Sequence, residues 1–182
     1  MPNTDLIPAH GALISDHPHP RPALRRITSI LVMLGIAGDI AGVVGLLVLG
    51  IGYALPLLPL MAIFLAVLLV PLIQLAVMHP AITVYERGLW LQPMIGRGVW
   101  LPWDTVTRVE DHTLIHRGKS RDRDREYFGH LIVADQGLPW PFAAVGLMAG
   151  FGWRTRTFGI STHSHTDYNT LRSAIQRHKR RR

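Results

Sequence analysis

Five short stretches carry residue types that could do chemistry. Gly118-Lys119-Ser120 matches the close of a phosphate-binding loop. Such a loop needs a glycine five residues before Gly118 so that backbone N–H groups can wrap a phosphate, and Thr113 stands there. Gly150-x-Gly152 is too short a glycine motif to mean a nucleotide. Glu110-Asp111-His112 combines acid and base, but alternation along a strand sends neighbours to opposite faces. His163-Ser164-His165 puts two imidazoles on one side of an extended segment, without a carboxylate or third histidine at ligand spacing. A surface or helix-entry role is expected for it, and a solvated tail for His17-Pro18-His19. The absence of cysteine excludes disulfides, thiolate zinc sites and cysteine nucleophiles. No nucleophile has an evident partner, so neither enzymatic activity, cofactor nor metal is expected.

One further ionisable residue stands apart. Asp39 is the only charged side chain between Ile27 and Met78. If that stretch crosses a bilayer, a mid-span carboxyl costs roughly 2.5–3.5 kcal/mol on insertion scales. A relay would need several polar groups in series, so a buried carboxyl hydrogen-bonding locally, Gln74 being one candidate, is the expected role. Contact with a partner subunit is the alternative. Beside it lie Gly35, Gly38, Gly42 and Gly45, and the pair Gly38/Gly42 has the small-xxx-small spacing that lets helices approach closely. Gly38, Asp39 and Gly42 are therefore the candidate packing face, toward the second span or another copy.

These residues sit in two apolar runs, Ile27 to about Tyr53 and about Leu55 to Met78. Each exceeds the ~20 residues needed to cross a ~30 Å hydrocarbon core. Pro56 and Pro59 suit a tight turn and the first turn of a second helix. The expected element is a transmembrane helical hairpin over 27–79. Arg21, Arg25 and Arg26 precede it, Arg87 and Arg97 follow it, and the turn is uncharged. The positive-inside bias then places both termini in the cytoplasm, as a multi-pass protein of the inner membrane. A cleaved signal peptide fits poorly, because the apolar stretch is far longer than an h-region. Residues 1–26 are proline-rich and expected to be a disordered cytoplasmic tail.

Residues 80–182 read differently. Short β-rich runs at 82–85, 89–91, 99–101, 106–115, 127–134 and 155–161 are divided by glycine and charge. Residues 117–126 form a mixed-charge loop. Tyr168, Leu171, Ala174 and Ile175 recur at helical spacing, with Thr166 or Asp167 available as a cap. The pattern predicts an α+β domain: a meandering antiparallel sheet closed by one C-terminal helix.

Tyr85-Glu86-Arg87-Gly88-Leu89, then Leu101-Pro102-Trp103-Asp104-Thr105-Val106, resembles the bacterial pleckstrin-homology-like domains, as does the close from Phe158-Gly159-Ile160 to Leu171. The resemblance covers about Ala81 to His178. It implies a bent, seven-stranded sheet capped by a helix, often following a pair of transmembrane helices, with a binding or scaffolding role and no agreed catalysis. The first hairpin offers only Arg87, with Arg97 in the next loop, so the basic cluster of phosphoinositide-binding relatives is not reproduced.

Leu138 to Trp153 runs without a charge, too short to span a membrane and too rich in glycine and proline for a regular strand. It is either a buried core loop or an apolar contact surface. In the second case Trp140, Phe142, Phe151 and Trp153 are interfacial anchors and Arg154 and Arg156 the phosphate contacts. The net charge of +7 and the basic end from Arg177 to Arg182 favour anionic lipid over nucleic acid, because no aromatic platform is interleaved. The expected function is a non-catalytic, membrane-anchored scaffold that binds a protein partner, another copy or lipid headgroups. The alternative is an accessory subunit of a larger membrane complex.

Overall fold

The computed structural model describes residues 10–54, 58–116 and 125–180. Its fold is α+β, with two antiparallel sheets and four α-helices. The first sheet has the order β1-β2-β3-β4, from Leu13–His17, Ala81–Tyr85, Gly88–Gln92 and Val99–Pro102. The second has β5, β6 and β7, from Arg108–His116, Arg125–Val133 and Thr157–Ser161. Helices α1 (Pro22–Ala54) and α2 (Leu58–Val77) intervene between β1 and β2. A short α3 (Ala143–Met148) precedes β7, and α4 (Tyr168–Arg180) follows it.

Alternation builds the core. In β2 only Ile82 and Val84 are buried, and they meet Leu91 and Leu89 across the ladder. Leu101, Leu131, Ile132, Phe158 and Ile160 complete the sheet side, and α4 contributes Leu171, Ala174 and Ile175. That α4 stripe is the expected i, i+3, i+4 pattern. The Leu101-Pro102-Trp103 segment ends β4 in a single 3₁₀ turn over Trp103–Thr105. The Trp103 indole donates to the Tyr85 carbonyl at 3.2 Å and stacks on His178 of α4, 4.3 Å between centroids. One aromatic thereby joins the first hairpin to the last helix.

The N-terminal segment corrects an expectation. A disordered tail was expected up to residue 26, yet Leu13–His17 forms a strand and α1 already starts at Pro22. β1 pairs with β2 from Leu13↔Tyr85 to His17↔Ile82. Of its five side chains only His17 is buried, so the strand is held by backbone pairing at a sheet edge rather than by an apolar face. The His17 ring donates through Nδ1 to the Thr166 carbonyl and accepts the Ser15 hydroxyl at Nε2, both at 2.8 Å. Thr166 does not cap α4 with its hydroxyl: its N–H and its hydroxyl both donate to Pro18.

The end of α2 is tied to both sheets. Ala76 O accepts from Met94 N–H at 2.9 Å, and Met78 O from Gly159 N–H at 2.6 Å. His79 returns a bond from Nδ1–H to Gly159 O at 3.1 Å. Every residue of β7 is buried, and its outer edge is covered here by the chain leaving α2. That cover protects an otherwise unpaired strand edge.

Candidate membrane-interface site

The charge-free stretch at 138–153 folds as a 3₁₀ turn (Trp140–Phe142) running into α3. Its sequence alternates between two duties. Phe142, Ala143, Ala144 and Val145 are buried, and α3 packs on α2, whose buried core members are Ala76 and Val77. Close packing demands glycine at 146, because a Cβ there would overlap the Thr155 carbonyl oxygen. The outer face instead leaves Trp140 at 65%, Met148 at 51% and Trp153 at 58% exposed. The segment thus contributes both to the core and, through these three side chains, to the exposed apolar surface.

The expected anchors divide accordingly. Trp140 and Trp153 lie outward, whereas Phe142 is 1% exposed and belongs to the core. Its role as an interfacial contact is corrected: the 3₁₀ turn leaves it buried while Trp140 is exposed. Phe151 is half-buried, with the Arg108 guanidinium 4.9 Å over its ring. Arg154 is exposed. Arg156 is a clamp: its Nη1 donates to Leu138 O at 2.6 Å and its backbone N–H to Asp135 at 3.0 Å. It holds the two ends of the segment together.

Among the described residues one helical stretch, Pro22–Gly45, is long and apolar enough to cross a membrane, with a mean hydropathy of 2.1. Almost none of it is covered, and Leu34 is 64% exposed. Gly35 is the glycine that meets α2, since a Cβ there would stand 3.1 Å from Leu72 Cδ1. Gly38 and Gly42 have nothing within 4 Å among the described residues. Asp39 Oδ2 is buried without a hydrogen-bond partner among those residues, and Gln74 bonds Met78 instead. Residues 55–57, 117–124 and 181–182, which hold Pro56, the Gly118-Lys119-Ser120 stretch and the last two arginines, lie outside the described residues.

The histidines make a pattern that spacing alone does not reveal. Asp111 faces His130 across the β5–β6 ladder, and His130 Nδ1 accepts the Tyr168 hydroxyl at 2.6 Å. Asp111 Oδ1 stands 3.0 Å from His130 Nε2 but off the line of its N–H, so this is a close charge contact and not a made hydrogen bond. Burial lowers the His130 pKa and raises that of Tyr168. His130 and Tyr168 are each about 5% exposed and dock α4 on β6, whereas the Asp111 carboxylate reaches the ring from solvent, 89% exposed. His165 is likewise internal and His163 exposed, so the expected surface role of the pair holds for one ring. His165 donates from Nε2–H to Pro80 O at 2.8 Å and accepts Ser161 N–H at Nδ1. Both bonds suit the neutral ring, and burial pushes its pKa down to about 4. Among the described residues no three His, Asp or Glu side chains converge as metal ligands. Comparison of the chain with protein-family models, curated proteins and solved structures returned no match.

Proposed function

We propose that this chain is a two-span membrane protein whose helical hairpin holds a pleckstrin-homology-like domain at the cytoplasmic face, where it acts as a non-catalytic binding or scaffold module. The observation that carries the reading is the pairing of β1 with β2 across the helix pair. A chain that leaves one side of a bilayer along α1 must return along α2 for those strands to meet. Cleavage within α1, as in a signal sequence, would also remove an edge strand and the buried His17. The antiparallel strands from Ala81 onward and the closing helix support the pleckstrin-homology-like part of the reading, with β1 adding a strand from before the helix pair. Trp140, Met148, Trp153 and Arg154 then form the face offered to headgroups or to a protein partner beside them, since indole rings favour that polar–apolar boundary. The absence of native cysteine makes the test clean. Single cysteines at Asp16, Leu57 and Arg97 are labelled in intact cells with a membrane-impermeant maleimide. Labelling at Leu57 alone supports the hairpin; labelling that separates Asp16 from Arg97 rejects it.

A second reading is favoured by one observation. The Gly38/Gly42 face, open among the described residues, suits another transmembrane helix, from a second copy or a larger complex. Stoichiometric subunits that leave upon Gly38→Ile in mild detergent would establish it.

A further inference from the structure

We propose that the cleft between the start of α1 and the β3–β4 loop binds the phosphodiester of an anionic glycerophospholipid, with the acyl chains lying along α1. The inference rests on the membrane reading above. The cleft is a cavity of about 350 Å³ whose lining includes His19, Arg25, Arg26, Gln92 and Pro93. Arg25 is pre-positioned: its Nη2 donates to Gln92 O at 2.7 Å and to Pro93 O at 3.0 Å. Both bonds leave from one nitrogen, so the N–H groups on Nε and Nη1 stay available, and a guanidinium fork matches phosphate oxygens. Neither Arg25 nor Arg26 has a carboxylate within 4 Å among the described residues. The His19 ring is held by Arg21, whose carbonyl oxygen and N–H lie 3.1 and 3.0 Å from its Nδ1. Two adjacent cations and an imidazole thus line one cavity, with no carboxylate among the described residues that line it.

What lies next to the cavity selects the ligand. Beyond Ser29 the surface of α1 becomes apolar: Ile30, Leu31 and Leu34 are 57%, 62% and 64% exposed. A soluble phosphate uses the cations and leaves that surface bare. A phospholipid uses both. A zwitterionic headgroup brings its own cation against the arginines, so a headgroup with net negative charge is preferred.

The test is native mass spectrometry of the full chain in non-ionic micelles with equimolar phosphatidylglycerol and phosphatidylcholine. The expected result is a retained phosphatidylglycerol adduct favoured over phosphatidylcholine. Arg26→Gln should weaken it about five-fold, and Arg25→Gln with Arg26→Gln about 25-fold, because each arginine near a lipid surface contributes about that factor. Arg26→Gln is the decisive variant, because that side chain is exposed and makes no hydrogen bond or ion pair among the described residues. Arg172→Gln, of equal charge change and outside the cavity, should retain the wild-type adduct; equal loss there overturns the proposal in favour of bulk charge. Displacement by excess inorganic phosphate overturns it in favour of a soluble anion. Alkaline carbonate extraction separates the two layers of the argument. Release of the wild-type chain defeats the membrane reading itself, whereas a chain that stays in the membrane without lipid preference defeats this site alone.

Discussion

His165 makes the joint between helix pair and domain sensitive to acid. It is 3% exposed and bridges Pro80, where the chain leaves α2, to Ser161 at the end of β7. Desolvation is the largest cause of its lowered pKa, with the neighbouring His79 and His17 adding to it and the hydrogen bond donated to Pro80 opposing it. The folded value is about 4 against an ordinary 6.5. Between those limits the unfolded chain takes up a proton that the folded chain refuses, so stability falls as pH falls through the window. It is constant above 6.5 as far as this group is concerned. At 1.36 kcal/mol per pH unit the whole window amounts to about 3 kcal/mol, of which about 2 kcal/mol is lost by pH 5. The assay is hydrogen exchange by mass spectrometry on the full chain in micelles at pH 7 and 5, corrected for intrinsic rates. Peptides covering β7 and the start of α4 should lose about 2 kcal/mol of opening free energy. In His165→Gln the amide can still donate to Pro80 O, so the joint persists and the pH dependence flattens. An unchanged pH slope in that variant would show that another group carries the effect and would refute the assignment.

Four other substitutions address separate parts of the structure. Gly146→Ala drives a methyl group onto the Thr155 carbonyl and should cost about 1–3 kcal/mol, read as a lower unfolding midpoint and faster exchange in 138–153. Tyr168→Phe leaves the buried His130 Nδ1 without its donor, which should cost about 1–3 kcal/mol. The same change removes a bond that favours the neutral ring, so an NMR titration should find His130 protonating at higher pH than in the wild type. Gly35→Ile pushes against Leu72 and should weaken the helix pair by about 1–3 kcal/mol in thermal unfolding of the micellar protein. Gly38→Ile, with open space beside it, should leave that midpoint unchanged.

How much of this was legible depends on whether a feature is local. Ile82 and Val84, or Leu171, Ala174 and Ile175, declare themselves by period, because each element buries one face and the spacing of that face is written in consecutive residues. The strand boundaries accordingly fall within a few residues of expectation. β1 was not legible, since its polar side chains carry no stripe and its partner is more than sixty residues away. The pairing of His130 with Tyr168 and of Arg25 with the β3–β4 loop is equally nonlocal. No spacing rule connects residues that only tertiary folding brings together. At 138–153 the composition announced an apolar segment without saying which way each ring faces. The 3₁₀ turn decides that, sending Phe142 in and Trp140 out. Among the described residues Gly35 is the glycine that approaches the neighbouring helix, and the spacing of small residues does not say which of them does so.

The order in which the strands are synthesised gives β1 a further burden. Its first residues leave the ribosome before either helix exists, and Ile82, the partner of His17, follows about 65 residues later. At roughly 5–20 residues per second that is a delay on the order of 3–13 s. Throughout it β1 is an unpaired strand in a crowded solution, able to pair with any exposed edge it meets. An apolar strand would aggregate during such a wait. Leu-Ile-Ser-Asp-His, with three polar residues in five and four of its side chains left unburied in the finished fold, remains soluble until β2 arrives. The polar character that hid this strand from pattern reading is therefore what a strand needs when a helix pair is made between it and its partner.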